Sequence, residues 1–352
     1  MKYRHSVHVK TLVAAALLAG AATLPSCDDV IFDSEGDCSS HFYATFRYDA
    51  NVLQSDAFGR QVTGVALYVF DQTGSLVGEY HHDRQPSADN NYRIPLDLPP
   101  GTYDMLAWCT GTPVHEQPIA FAINESQNPS AMSALSAAHP LENAPDGALY
   151  AAHDIVPLFH GISRGVVFPD KPGDIDVEPI YLTKDTNRIN ISLVNMGGQA
   201  MDPDDYTVEL TGRHSQLDHL NNLVEDSPEH LYRPWATLPL RVETGNGRAD
   251  GDGEEVNNGM LARLTMGRLI ADKDHRLTVR RNDTGETVIS MPVMGALIQA
   301  MDLYPSMKTP QQYLDCVDAY NFELFLDPNG AWIKTRVFIN GWRVVPDQTE
   351  DI

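Results

Sequence analysis

A two-residue alternation of apolar and polar side chains recurs along this chain in short runs, each ended by a turn, and it limits the fold to stacked β layers. In His41–Tyr48 the residues Phe42, Ala44, Phe46 and Tyr48 share one face, with Tyr43, Thr45 and Arg47 on the other. Val62–Phe70 (VTGVALYVF) is apolar on both faces, as a strand covered on both sides must be. Asp71-Gln72-Thr73-Gly74 then reverses the chain into Ser75–His81, because Gly accepts the positive φ of a hairpin loop. Pro99-Pro100-Gly101 launches Thr102–Cys109, where Tyr103, Met105, Ala107 and Cys109 oppose Leu106 and Trp108. Further strands are predicted at Tyr92–Leu98, Ala148–Gly161 and Ser163–Phe168. Between them, Thr110–Gly147 is polar with an Ala/Ser-rich centre and reads as a short helix or an excursion loop.

The same period returns after the turn at Pro169–Gly173. Ile180–Leu182, Arg188–Asn195, Tyr206–Thr211, Met260–Leu269, His275–Arg281 and Glu286–Met291 are predicted strands, the last two joined through Asn282-Asp283-Thr284-Gly285. Gly212–Pro234 is irregular, with a helical turn near Leu217–Leu223, and the Gly- and acid-rich Gly245–Gly259 must be an exposed loop. Thr309-Pro310-Gln311-Gln312 combines an N-cap Thr, Pro at the first helical position and Gln at the third, which predicts a short helix to about Val317. Ala319–Leu326, Trp332–Ile339 and Trp342–Val345 complete the pattern. The expectation is an all-β protein of two β-sandwiches, residues 41–175 and 176–352, with one short helix in the second.

The N-terminus is of another kind. Lys2, Arg4 and Lys10 precede an acid-free apolar run from Thr11 to Leu24, the charged-then-apolar order of a secretory signal and too short to span a bilayer by itself. Leu24-Pro25-Ser26-Cys27 resembles the lipobox of bacterial lipoproteins, although Pro25 departs from the usual small residue. Residues 1–26 then form the signal peptide, cleavage falls between Ser26 and Cys27, and residues 27–40 form a lipidated tether; a plain secretory signal is the alternative. One acyl chain holds only marginally, whereas the several on a processed lipoprotein cysteine anchor stably. The acidic pair Asp28-Asp29 resembles either an inner-membrane retention signal or a surface-export tag, depending on the host.

Charge excludes some partners. The whole chain carries a net charge of −23, and loss of three basic residues with the signal leaves about −26. Such a chain repels nucleic acid and anionic headgroups, so membrane contact is assigned to lipid. With Cys27 acylated, Cys38, Cys109 and Cys316 remain. Cys38–Cys109 is the preferred disulfide because both lie in the first half, and three free, buried thiols are the competing expectation.

Catalytic, metal and cofactor sites are not expected. His81-His82-Asp83 points its adjacent residues to opposite strand faces, and His214 and His219 miss the i, i+4 spacing of a helical zinc pair. Asp250–Glu255 lacks the ligand order of a calcium loop, while His115-Glu116 and His153-Asp154 are isolated. Trp108, Trp235, Trp332 and Trp342 are read as packing residues; a sugar-stacking platform is the alternative, which would make the protein a surface carbohydrate-binding lipoprotein of a nutrient-uptake system.

Several segments resemble one family. The lipobox cysteine, the short acidic tether, and the order FYATFRYD, VTGVALYVFDQTG, LPPGTYDMLAWC and LFHG, followed by QQYLDCVDAYNFELFLDPNGAWIKTRVFINGW, are similar to the fimbrillin-associated anchor proteins of type V fimbriae. The resemblance implies two tandem Greek-key sandwiches of transthyretin-like type, an outer-membrane lipid anchor exposed at the cell surface, and fimbrial shaft (fimbrillin) subunits as partners, joined by exchange of terminal strands. Shaft subunits of this class lose an N-terminal strand to proteolysis. Here the N-terminus is the lipidated end, so the expectation is that the first strand is kept, with Arg60 a solvated arginine rather than a cut site. A tip adhesin is the third reading, and a lipid-tethered end argues against it.

Overall fold

The computed structural model describes residues 39–114, 118–124, 131–213, 215–242, 257–339 and 342–344. The first strands follow the sequence alternation. β1 (Ser40–Ala44) and β2 (Phe46–Arg47) are separated only by Thr45, and Phe42, Ala44, Phe46 and Tyr48 are all buried. A helical turn, Phe58–Gln61, leads into β3 (Val62–Phe70), which pairs antiparallel with β4 (Leu76–Asp83). Asp71 sets the reversal: its Oδ1 accepts from Thr73 N at 2.8 Å and Ser75 N at 3.0 Å, and Gly74 takes a φ of +82°. After β5 (Ile94–Leu96), β6 (Gly101–Gly111) pairs along β3.

Among its described residues the polar stretch that follows is an excursion loop rather than a helix: it holds the short strands β7 (Ala122–Asn124), β8 (Ser136–Ala138) and β9 (Glu142–Asn143) and a 3-10 turn at Met132–Ala134, and β10 (Leu149–Ala151) comes after it. Tertiary pairing overrides the weak helical preference of its small residues, since β8 pairs with both β7 and the later Gln216–Asp218 strand. β11 (Leu158–Phe168) runs antiparallel to β6, and β12 (Gly173–Asp176), β13 (Ile180–Tyr181) and β14 (Thr183–Lys184) follow. These strands form an antiparallel sheet ordered β14-β11-β6-β3-β4, with β12-β1-β5 and β13-β2 as smaller sheets. The first core includes Phe42, Phe46, Leu67, Met105 and Phe168, and continues through Val177, Ile180 and Leu182, beyond residue 175.

The second half contributes β15 (Asn187–Asn195), β16 (Tyr206–Gly212), β17 (Gln216–Asp218), β18 (His230–Tyr232), β19 (Ala236–Leu240), β20 (Gly259–Met266), β21 (Arg276–Arg281) and β22 (Thr287–Pro292). Instead of a helical turn near Leu217–Leu223 there is β17 and a tight reversal, with Asn221 at a φ of +65°. The predicted helix forms at Pro310–Cys316, capped by Thr309, whose Oγ1 accepts from Gln312 N at 3.1 Å. A second helix, Met294–Gln299, precedes it and is too short to show a helical period in sequence. β23 (Ala319–Leu326), β24 (Trp332–Ile339) and β25 (Trp342–Val344) then complete a sheet ordered β19-β20-β15-β23-β24-β25, in which β15 and β23 run parallel.

The two halves are interwoven. β10 joins β18 in a sheet ordered β22-β21-β16-β18-β10-β9, so a strand from before residue 175 extends a sheet of the second half. The second core likewise takes Tyr68, Leu106, Trp108 and Leu158 together with Ile189, Leu210, Tyr232, Tyr320 and Phe322. The β14-β11-β6-β3-β4 sheet thus buries its two faces in two different cores. That explains why β3 and β6 are apolar on both sides. The described residues of 40–170 and from 174 onward form one compact unit; Ser39 and Lys171–Gly173 belong to a separate small one.

Candidate assembly site

The first strand is held on both sides. β1 lies between β12 and β5, with Phe42 opposite Leu96 and Ala44 opposite Ile94, and β2 pairs parallel with β13 through Phe46 and Ile180. The buried aromatic side chains of this segment each meet a ring from elsewhere: Phe42 with Phe168 (4.8 Å), Phe46 stacked on Phe58 (5.3 Å), and Tyr48 edge-on to Phe159 (5.0 Å). Full burial contributes about 1.5–3 kcal/mol per side chain of this size.

A clasp closes behind the strand. Asp56 Oδ1 accepts from Tyr48 N and Phe58 N, both at 3.0 Å, and its Oδ2 accepts from Asn90 Nδ2 at 2.7 Å. Burial alone would raise this carboxyl, but the hydrogen bonds from Asn90, Tyr48 and Phe58 outweigh it and hold it below the ordinary aspartate range. Asn51 Nδ2 donates to Tyr48 O and Ser55 O at 2.9 and 2.7 Å. Arg84 donates to Gly59 O at 3.1 Å and to Val62 O, while its guanidinium covers the Phe58 ring at 5.1 Å. Gly59 is confined, because a Cβ there would stand 2.8 Å from the carbonyl oxygens of both Ser87 and Asp89. Arg60 has an exposed side chain, yet its N donates to Ala57 O at 3.1 Å inside this turn.

The residues that sequence assigned to processing, Ser26 and Cys27, lie outside the described residues, as does Cys38. Cys109 and Cys316 are free, buried thiols among the described residues. Burial raises both thiols, that of Cys316 to about 11, so neither is a reactive thiolate.

Groups of three or more metal-ligating His, Cys, Asp or Glu side chains are absent among the described residues, and His214, Asp250–Glu255 and His115-Glu116 fall outside them. His81 Nε2 meets Glu79 at 2.8 Å, and His153 Nε2 meets Glu142 at 2.5 Å, each a half-exposed surface pair. Trp108 is 2% exposed in the core, Trp235 donates to Thr265 Oγ1, and Trp332 donates to Thr335 Oγ1.

Sequence reading missed the buried charges, because a lone Asp at a strand end looks like any turn residue. Asp154 accepts from Thr265 Oγ1 at 2.8 Å and Val114 N at 2.9 Å. Lys184 pairs with Asp318. Asp185 is fully buried, accepts from Asn221 Nδ2 at 2.7 Å and lies 3.9 Å from Arg268, which grips Asp315 with both oxygens at 2.9 Å. Burial pushes the Asp185 carboxyl up to about 7 in spite of Arg268, and burial likewise lowers His139 and His160 to about 4. Lys184 and Asp185, at the end of β14, thereby meet Asp318, Asn221 and Arg268 of the second half.

Known proteins share this architecture. Residues 34–347 match the model of the fimbrillin-A associated anchor proteins Mfa1 and Mfa2. The chain is 21% identical over 355 residues to the minor fimbrium anchoring subunit Mfa2 of Porphyromonas gingivalis, covering 98% of each. Among solved structures, a candidate polysaccharide-binding protein of Bacteroides thetaiotaomicron superposes with a TM-score of 0.71 (22% identity, 88% of this chain and 99% of that one). The fimbrial anchor protein Mfa2 of Porphyromonas gingivalis superposes with 0.56 (17% identity, 87% and 99%). At these identities the superpositions establish the β-sandwich fold, while the family match spans nearly the whole chain. The chain therefore belongs to the family of fimbrillin-A associated anchor proteins, structural and non-enzymatic components of fimbriae.

Proposed function

We propose that this protein is the lipid-anchored base of a fimbrium at the outer membrane: Cys27 carries the acyl chains, and the sandwiches seat the first shaft subunit by β-strand complementation. The observation that carries this reading is the fully seated β1–β2 segment, which begins a short tether after Cys27. Twelve residues separate Cys27 from Ser40, and an extended chain of that length reaches at most about 40 Å, so the first core stays close to the lipid surface. Among the described residues no helix is long and apolar enough to cross a membrane. A subunit that keeps its own first strand does not need a neighbour's strand in that groove. It offers the polymer one docking end and limits growth at the membrane. The carbohydrate-binding alternative relied on a stacking platform of several tryptophans; of Trp108, Trp235 and Trp332 only Trp332 is exposed, and the Trp108 ring packs in the core.

Replacing Cys27 with Ser tests the proposal in cells. Fibres and this protein should appear in the medium, still joined to each other. Fibres that stay fastened to cells carrying Cys27→Ser would overturn it.

A further inference from the structure

The proposed anchor must present a surface to its partner, and the strand edges differ in their capacity to do so. An exposed edge accepts an incoming strand when it is long, regular and free of Pro. Among the described edge strands, β19 contains Pro239, β22 ends at Pro292, and β25, β14, β9, β12, β5, β13, β2, β17 and β7 have four residues or fewer. β4 has eight, none of them Pro, and among the described residues is paired on one side only.

Two further observations converge on β4. Its second-core face carries Glu79, His81 and Asp83, paired in register with Tyr68, Ala66 and Gly64, and this row is acidic and exposed. Beside it opens a cavity of about 240 Å³, lined from the sheet by Trp108 and Leu158, from the adjoining segment by Phe121 and Ile123, and by His81 and Asp83 of β4 itself. The Trp108 indole N–H is buried and meets no acceptor among the described residues. A buried donor without a partner is destabilising, and a ligand oxygen would satisfy it.

We infer that β4 and this cavity form a docking groove for an extended segment of a partner subunit. The segment adds to the sheet at β4, places basic residues at alternate positions opposite Glu79 and Asp83, and inserts one side chain ending in an amide oxygen, Asn or Gln, to accept from Trp108 Nε1. This inference rests on the anchor reading for its biological partner, but its test does not.

The test uses the soluble Cys27→Ser form of the whole mature chain and two ten-residue peptides: one alternating Lys and Thr around a central Gln, the other with Glu in place of Lys. Hydrogen–deuterium exchange reads the Leu76–Asp83 fragment, and a nitrogen-15 spectrum reads the Trp108 indole, assigned with Trp108→Phe. The Lys peptide should slow exchange of that fragment by about fivefold or more and shift the indole resonance, while the Glu peptide does neither. Glu79→Lys combined with Asp83→Lys, both exposed positions, should reverse the preference with an unchanged melting temperature. No protection of 76–83 by either peptide, equal protection by both, or protection appearing at 287–292 instead would each overturn the groove. Such a failure would leave the anchor reading intact, just as fibres retained by Cys27→Ser cells would leave the groove standing.

Discussion

β1 and β4 are both short alternating strands of the first half, and they sit in opposite situations. β1 has a strand on either side, and the segment through Tyr48 buries every second side chain. β4 has a neighbour on one side and turns Val77, Glu79, His81 and Asp83 to solvent. Alternation alone therefore does not say whether a strand is sealed or available. The difference comes from what the turns do: the Asn51–Gln61 turn folds back over β1 through Asp56 and Arg84, whereas the Asp71–Gly74 turn only reverses the chain. Under the proposed anchor role, a molecule closed at its first strand and open along another edge would hold a polymer without joining its interior.

The largest test of this contrast is a core truncation. Phe46→Ala should lower unfolding free energy in urea by about 3–5 kcal/mol, while Val77→Ala on β4 changes it by less than about 0.5. Equal losses would erase the distinction between sealed and open strands.

Next in size is a pH effect at the back of the same sheet. Asp185 has a folded pKa of about 7, above its unfolded value, so the folded state holds an extra proton between about pH 4 and 7. Stability should then fall as pH rises through that window, by up to about 1.4 kcal/mol per unit for this group, and level off above it. Asp185→Asn, which keeps a hydrogen-bonding amide beside Asn221, should remove that component from urea midpoints measured at pH 5 and 8.

The clasp behind β1 titrates with the opposite sign. The Asp56 carboxyl is held below its unfolded value, so its contribution is present above that value and disappears as pH drops through the folded pKa. Asp56→Ala should cost about 1 kcal/mol at neutral pH and expose the Arg60–Gln61 bond to trypsin, seen as a new N-terminus at Gln61. Wild-type protein should resist cleavage there under the same digestion. The smallest effect is that of Glu79→Lys, which should leave stability within about 0.5 kcal/mol and act on partner binding alone.

Much of the sheet architecture was legible because period-two burial is written directly into residues such as Phe42, Ala44, Phe46 and Tyr48. The two-faced character of β3 and β6 was readable as well, and both faces are filled, though by different cores. What escaped was long-range pairing. Nothing local marks Leu149–Ala151 as a partner for His230–Tyr232, and Ser136–Ala138 resembles a helix until β17 lies beside it. The clasp was hidden for a related reason: Asp56, Arg84 and Asn90 look like ordinary loop polar residues and acquire a role only where the fold brings them together. The proposed processing site at Cys27, by contrast, depends only on neighbours in the chain, since such a signal would be read before folding.

The most direct measurement is the mass and N-terminal sequence of this protein taken from fibres assembled on cells. Retention of the first strand implies a single species that begins at acylated Cys27 and includes Ser40–Tyr48. A species beginning at Gln61 in those fibres would mean that the strand is surrendered, and the base of the fibre would have to be held by something else.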